Sequence, residues 1–93
     1  MKNLTVITGA VSRRVLHRAD NVFPWDALDY AKAELERRKW YRRNRKDNLI
    51  MALAVAFAAY HNHFPETSLE EFLQDVDYGC TKSDVTFYLE YIQ

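Results

Sequence analysis

Turn-forming residues are scarce in this chain, with two glycines and two prolines among 93 residues. All-β folds are punctuated by many turns, so this scarcity points away from them and toward helices. Cysteine occurs once, at Cys80. One thiol cannot close an intramolecular disulfide, which fits a reducing, cytoplasmic compartment. Cys80 with His61 and His63 does not spell a zinc site, because histidines two apart point to different sides of a helix. No bound metal and no cofactor are expected. The contiguous "HNH" at 61–63 is not the nuclease motif of that name, whose residues are separated. The longest apolar run, residues 49–60, is 12 long, short of the about 20 residues that span a membrane. No charged start followed by an apolar run marks a signal peptide. A nucleophile–base arrangement and a glycine-rich phosphate loop are also missing, so no enzyme is expected.

What the chain has is core material. Apolar residues make up 48% and aromatics 14%, a globular composition that at this length gives one helical domain, 1–93. Leu4, Ile7, Val11 and Val15 recur like a helix face, whereas Leu4, Val6 and Thr8 alternate like a strand. A lone strand has no partner here, so helix is expected at least over 11–19, with Ser12 able to cap it. Pro24 suits a first helical position, and Leu28, Ala31 and Leu35 form the next apolar stripe. A turn is expected near 44–48, with Asp47 or Asn48 capping the helix that follows and Pro65 ending it.

Residues 49–60, "LIMALAVAFAAY", are apolar all round and predict the central core helix. The other use of such a helix is a homodimer seam. Ser68 and Glu71 fit a capping box ahead of Leu69, Phe72, Leu73 and Val76. Gly79 suits a helix stop. Thr81 or Ser83 then caps a final helix carrying Val85, Tyr88, Leu89 and Ile92 on one side. The expected fold is an all-α bundle of four or five helices around 49–60.

Charge is balanced overall but divided along the chain. Residues 1–46 hold 12 basic and 5 acidic side chains, whereas residues 47–93 hold 8 acidic ones and a single cation, Lys82. Residues 36–46, "ERRKWYRRNRK", carry seven of the 13 cations. On a continuing helix Arg38, Lys39, Arg42, Arg43, Arg45 and Lys46 fall within an arc of about 160°. Arg37 lies apart, and Trp40 and Tyr41 fall on the opposite side. A core cannot hold six cations, so a dense positive face is exposed. Three uses compete: a solvated helix end, a protein-docking surface, and a nucleic-acid contact with stacking on Trp40 or Tyr41. The candidate partner-binding residues are Arg37, Arg38, Lys39, Trp40, Tyr41, Arg42, Arg43, Arg45 and Lys46. Nucleic acid or a nucleoprotein complex is the expected partner, and an acidic host protein is the alternative.

Residues 67–89, "TSLEEFLQDVDYGCTKSDVTFYL", resemble a helix-turn-helix. That resemblance implies groove contacts through Thr81, Lys82, Ser83, Asp84 and Thr86. The segment departs from the family in charge, since seven acids and one lysine over 66–93 oppose a phosphate backbone. In size, charge polarity and lack of a catalytic signature the chain also looks like the small early bacteriophage proteins that inhibit host nucleases or CRISPR complexes. That resemblance is of type and assigns no residues.

Overall fold

The computed structural model describes residues 4–17, 22–40, 43–76 and 82–92. Five helices follow in order: α1 (Leu4–His17), α2 (Pro24–Arg37), α3 (Arg45–His63), α4 (Leu69–Val76) and α5 (Lys82–Ile92). No strand occurs among the described residues. The all-α bundle expected from the sequence is the observed architecture. Its core is one hydrophobic cluster to which all five helices contribute.

Helical periodicity prevails over strand alternation at the start of the chain. Leu4, Ile7, Val11 and Val15 are fully buried, while Val6, on the strand-like face, is 52% exposed. The helix begins at Leu4, so Ser12 lies inside it and cannot cap its start. Residues 18 and 19 of the expected 11–19 span lie outside the described residues. α2 opens with Pro24 at its first position, and Asp26 Oδ2 accepts a hydrogen bond from the Phe23 N–H at 2.9 Å. Its stripe of Ala27, Leu28, Ala31 and Leu35 is buried.

The end of α2 differs from the expectation. The helix stops at Arg37, so the break precedes the turn expected near 44–48. Lys39 adopts a left-handed backbone with φ of 57°. The Trp40 N–H then reaches back to the Leu35 carbonyl at 2.9 Å, and the Lys39 N–H to the Glu36 carbonyl at 3.0 Å. This paired closure is a Schellman motif, usually built on glycine. It turns Trp40 onto the core. Asn44, not Asp47 or Asn48, caps the next helix by accepting from the Lys46 N–H at 2.9 Å.

α3 is the central helix and touches each of the other four. Residues 50–56 are buried throughout, as are Ala59 and Tyr60. Ala52, Ala56 and Ala59 keep that side thin, which lets neighbours approach closely. Burial inside the chain thus accounts for the run read either as core or as a dimer seam. The helix ends at His63, two residues before Pro65. Ser68 Oγ accepts from the Glu71 N–H at 3.2 Å at the start of α4. Phe72 is fully buried against the rings of Phe57 and Tyr60. α5 begins at Lys82, so Ser83 lies within it and does not cap it. Gly79, Cys80 and Thr81 lie outside the described residues. Val85 and Tyr88 are buried, and Leu89 and Ile92 pack against the core.

Candidate cationic interface

A buried carboxylate organises the first part of the positive surface. Glu34 shares the inward face of α2 with Ala27, Ala31 and Leu35, and its side chain is 2% exposed. A charge there requires partners. Three guanidinium groups supply them. Arg37 forms a two-pronged contact, Nη2 to Oε2 at 2.9 Å and Nε to Oε1 at 3.3 Å. Arg38 Nε donates to Oε2 at 3.2 Å, and Arg14 Nη2 reaches from α1 to Oε1 at 3.0 Å. The hydrogen bond from Arg37 is the largest influence on Glu34. Together with Arg38 and the nearby charges of Arg37 and Arg14, it lowers the carboxyl pKa against the opposing effect of burial.

Three positive charges meet one negative charge, which leaves an excess at this point. The arginine side chains remain 46%, 60% and 31% exposed at Arg14, Arg37 and Arg38. Each guanidinium has five N–H groups, and Arg37 uses two on Glu34. Glu34 therefore fixes the inner edges while the outer edges face solvent. Arg13 and His17 from α1 line the same open cleft, about 600 Å³, with Arg14 and Arg37. These α1 residues are absent from the candidates drawn from 37–46. The available clue was Glu34 itself, an acid at the buried spacing of α2 that needs cations from another helix.

The second part of the surface lies across α2. Trp40 and Arg45 line a mostly apolar cleft of about 420 Å³, with Leu35, Met51 and Ala52 among its walls and Lys32 and Glu36 also bordering it. On the wheel of α2, Lys32 and Glu36 project to one flank and Glu34 and Arg37 to the other. The single 160° face is consequently not formed, because it required a helix that continues past Arg37. Arg37 and Arg38 join Arg14 around Glu34, whereas Trp40 and Arg45 come together at the second cleft. Lys39, Arg43 and Lys46 are exposed nearby in sequence. Tyr41 and Arg42 lie outside the described residues. Arg45 and Lys46 occupy the first two positions of α3, at the positive pole of the helix dipole. Cations there oppose the dipole by about 0.3–1 kcal/mol each at low salt, although Asp47 in the same turn offsets part of this.

A Ser–His pair elsewhere has a structural geometry. His63 Nε2 lies 2.8 Å from Ser12 Oγ and 3.1 Å from the Ser12 carbonyl oxygen. The carbonyl can only accept, so Nε2 must carry hydrogen to bond it and then has no lone pair for the serine proton. The contact ties α1 to α3. Among the described residues, no group of three or more His, Cys, Asp or Glu side chains could hold a metal ion. Lys82, on the segment resembling a recognition helix, is joined to Glu70 at 2.6 Å. Lys82, Ser83 and Thr86 are exposed, Asp84 is half-buried, and Thr81 lies outside the described residues. No helix among the described residues is long and apolar enough to cross a membrane. Exposed aromatics gather at two further places: Phe23 and Trp25 stack 4.6 Å apart in near-parallel planes, and Phe87 meets Tyr91 edge-on at 5.6 Å. No family model matches the chain, and neither a curated protein nor a solved structure shows significant similarity to it.

Proposed function

We propose that the chain is a non-enzymatic binding or regulatory protein that grips a nucleic-acid backbone, alone or within a nucleoprotein complex. The observation that carries this reading is the trio of guanidiniums held by Glu34. Their side chains are ordered before a ligand arrives, so less conformational entropy is lost on binding. Arg13 and His17 extend the cleft along α1, and Arg43, Arg45 and Lys46 add charge at the start of α3. Phosphate oxygens suit such donors because arginine can engage them with two parallel N–H groups.

The test is fluorescence anisotropy of labelled DNA and RNA over a salt series. The expected affinity falls linearly on logarithmic axes as salt rises, with the slope set by the number of phosphates neutralised. Among the described residues Glu34 is ion-paired to Arg14, Arg37 and Arg38 and not to Arg13 or Arg45, so Arg13→Ala and Arg45→Ala test charge apart from the anchor. Each is expected to reduce the slope by about 0.7–0.9. Absence of binding to single-stranded and duplex DNA and RNA at low salt would exclude the proposal.

The exposed Phe23–Trp25 stack and the Phe87–Tyr91 pair favour a second reading, a small inhibitor or adaptor of the bacteriophage anti-defence type that docks on a host protein. That reading expects stoichiometric capture of one protein, weakened by charge reversal at Glu70, Glu71 and Asp75. Salt-steep oligonucleotide binding with no such capture would count against it.

A further inference from the structure

We infer that the Trp40 cleft receives one base of a single-stranded nucleic acid, stacked on the indole, with the flanking phosphates held at the cationic rim. This rests on the proposed function and names the form of nucleic acid that it favours. Phosphate binding alone needs surface cations and has no use for an apolar recess. Yet here a cleft of about 420 Å³ opens between the end of α2 and the start of α3, with Leu35, Met51 and Ala52 in its walls. That volume lies in the range of small-molecule sites, roughly 300–1,000 Å³. A recess of that size suits a single ring better than an α-helix, which is about 10–12 Å across.

The charge distribution narrows the occupant. Arg45 and Lys32 border the cleft, and Lys39, Arg43 and Lys46 are exposed in the adjoining segments. One carboxylate, Glu36, shares the lining. An acidic side chain entering the recess would meet Glu36 as well as Lys32 and Arg45, whereas a neutral base carries no charge for Glu36 to repel. Its phosphates would remain outside among the cations. The backbone at Trp40 is held in place, since its amide N–H is bonded to the Leu35 carbonyl at 2.9 Å, and its side chain packs against the core. A fixed aromatic wall is the feature that stacking on single strands uses. In a duplex both faces of each base are already covered by neighbours, so the site discriminates against it.

The chain has two tryptophans, Trp25 and Trp40, so Trp25→Phe leaves Trp40 as the sole indole reporter. In that full-length variant, a short single-stranded oligonucleotide is expected to quench Trp40 emission at low salt. Inorganic polyphosphate of equal charge should bind without the quench. Trp40→Leu, which keeps an apolar side chain at the cleft, should weaken single-strand binding by about 5- to 100-fold and leave polyphosphate binding unchanged. Single strands should bind more tightly than duplexes of the same length.

Equal quenching by polyphosphate overturns the base site. So does oligonucleotide binding that changes neither Trp40 emission nor the affinity of the Trp40→Leu variant. Quenching by an acidic, tyrosine-bearing peptide but not by oligonucleotides assigns the cleft to a protein partner, which also overturns the inference. If neither oligonucleotide nor polyphosphate binds at low salt, the proposed function falls first and the base site with it.

Discussion

Glu34 and Glu70 are both ion-paired acids on helices, yet their surroundings make them different objects. Glu34 is 2% exposed, lies between two helices and answers three arginines. Glu70 is 60% exposed and answers one lysine at 2.6 Å. Both carboxyl groups have lowered pKa values, Glu34 chiefly through the Arg37 hydrogen bond and Glu70 chiefly through the Lys82 hydrogen bond. The shared direction hides unequal consequences. Water and salt can replace Lys82 at Glu70, whereas at Glu34 the pairing fills a place in the interface of α1 and α2. A short distance is thus a poor guide to contribution, and burial with multiple partners is a better one.

The largest test of that contrast removes the buried carboxylate. Glu34→Ala is expected to destabilise the fold by about 3 kcal/mol, the low end for breaking buried pairs, because the arginines left behind retain access to water. Urea unfolding followed by circular dichroism measures it. An unchanged midpoint would mean that the cluster does not anchor α1 to α2.

Titration gives an intermediate test. A depressed folded-state pKa means that the folded protein holds its carboxylate ionised more strongly than the unfolded chain does. The resulting stabilisation is present above the ordinary glutamate value of about 4.3 and is lost as pH falls through the lower folded value. Stability should therefore decline on acidification, and Glu34→Gln should flatten part of that decline. In 1 M salt, where screening acts within about 3 Å, the Glu34 part should persist and the Glu70 part should fade. Equal loss of both parts in salt would erase the distinction drawn from burial.

The smallest expected effect is at Glu70 itself. Glu70→Gln should leave the urea midpoint within experimental error of the parent, because an exposed pair competes with water and loses side-chain freedom. A shift comparable to that of Glu34→Ala would show that the Lys82 contact is structurally important despite its exposure.

Local signals in the chain explain much of the fold and less of the interface. Leu28, Ala31 and Leu35 announce an inward stripe, Pro24 a helix start, Ser68 a cap and residues 49–60 a central helix, and each occupies that place. The stop after Arg37 was concealed because its left-handed position is filled by Lys39, with no glycine to mark it. Ser12 has the chemistry of a cap but lies in the middle of α1, where packing of Leu4 and Ile7 extends the helix past Gly9. Of the candidate surface, Arg37, Arg38, Trp40 and Arg45 were identifiable as a charged, aromatic segment, but their division between two flanks of α2 was not.

The sequence by itself determined that four or five amphipathic or apolar segments would coil and bury one another, because helical spacing is written in neighbouring residues. It also placed most of the cations in the first half. Only the tertiary structure decided which charges act together. Arg14 lies 20 positions before Glu34, and their meeting depends on how α1 crosses α2. Trp40 and Arg45 face one cleft because the chain folds back between two helices. Such meetings arise from the packing of whole elements, which the pattern within any one element does not specify.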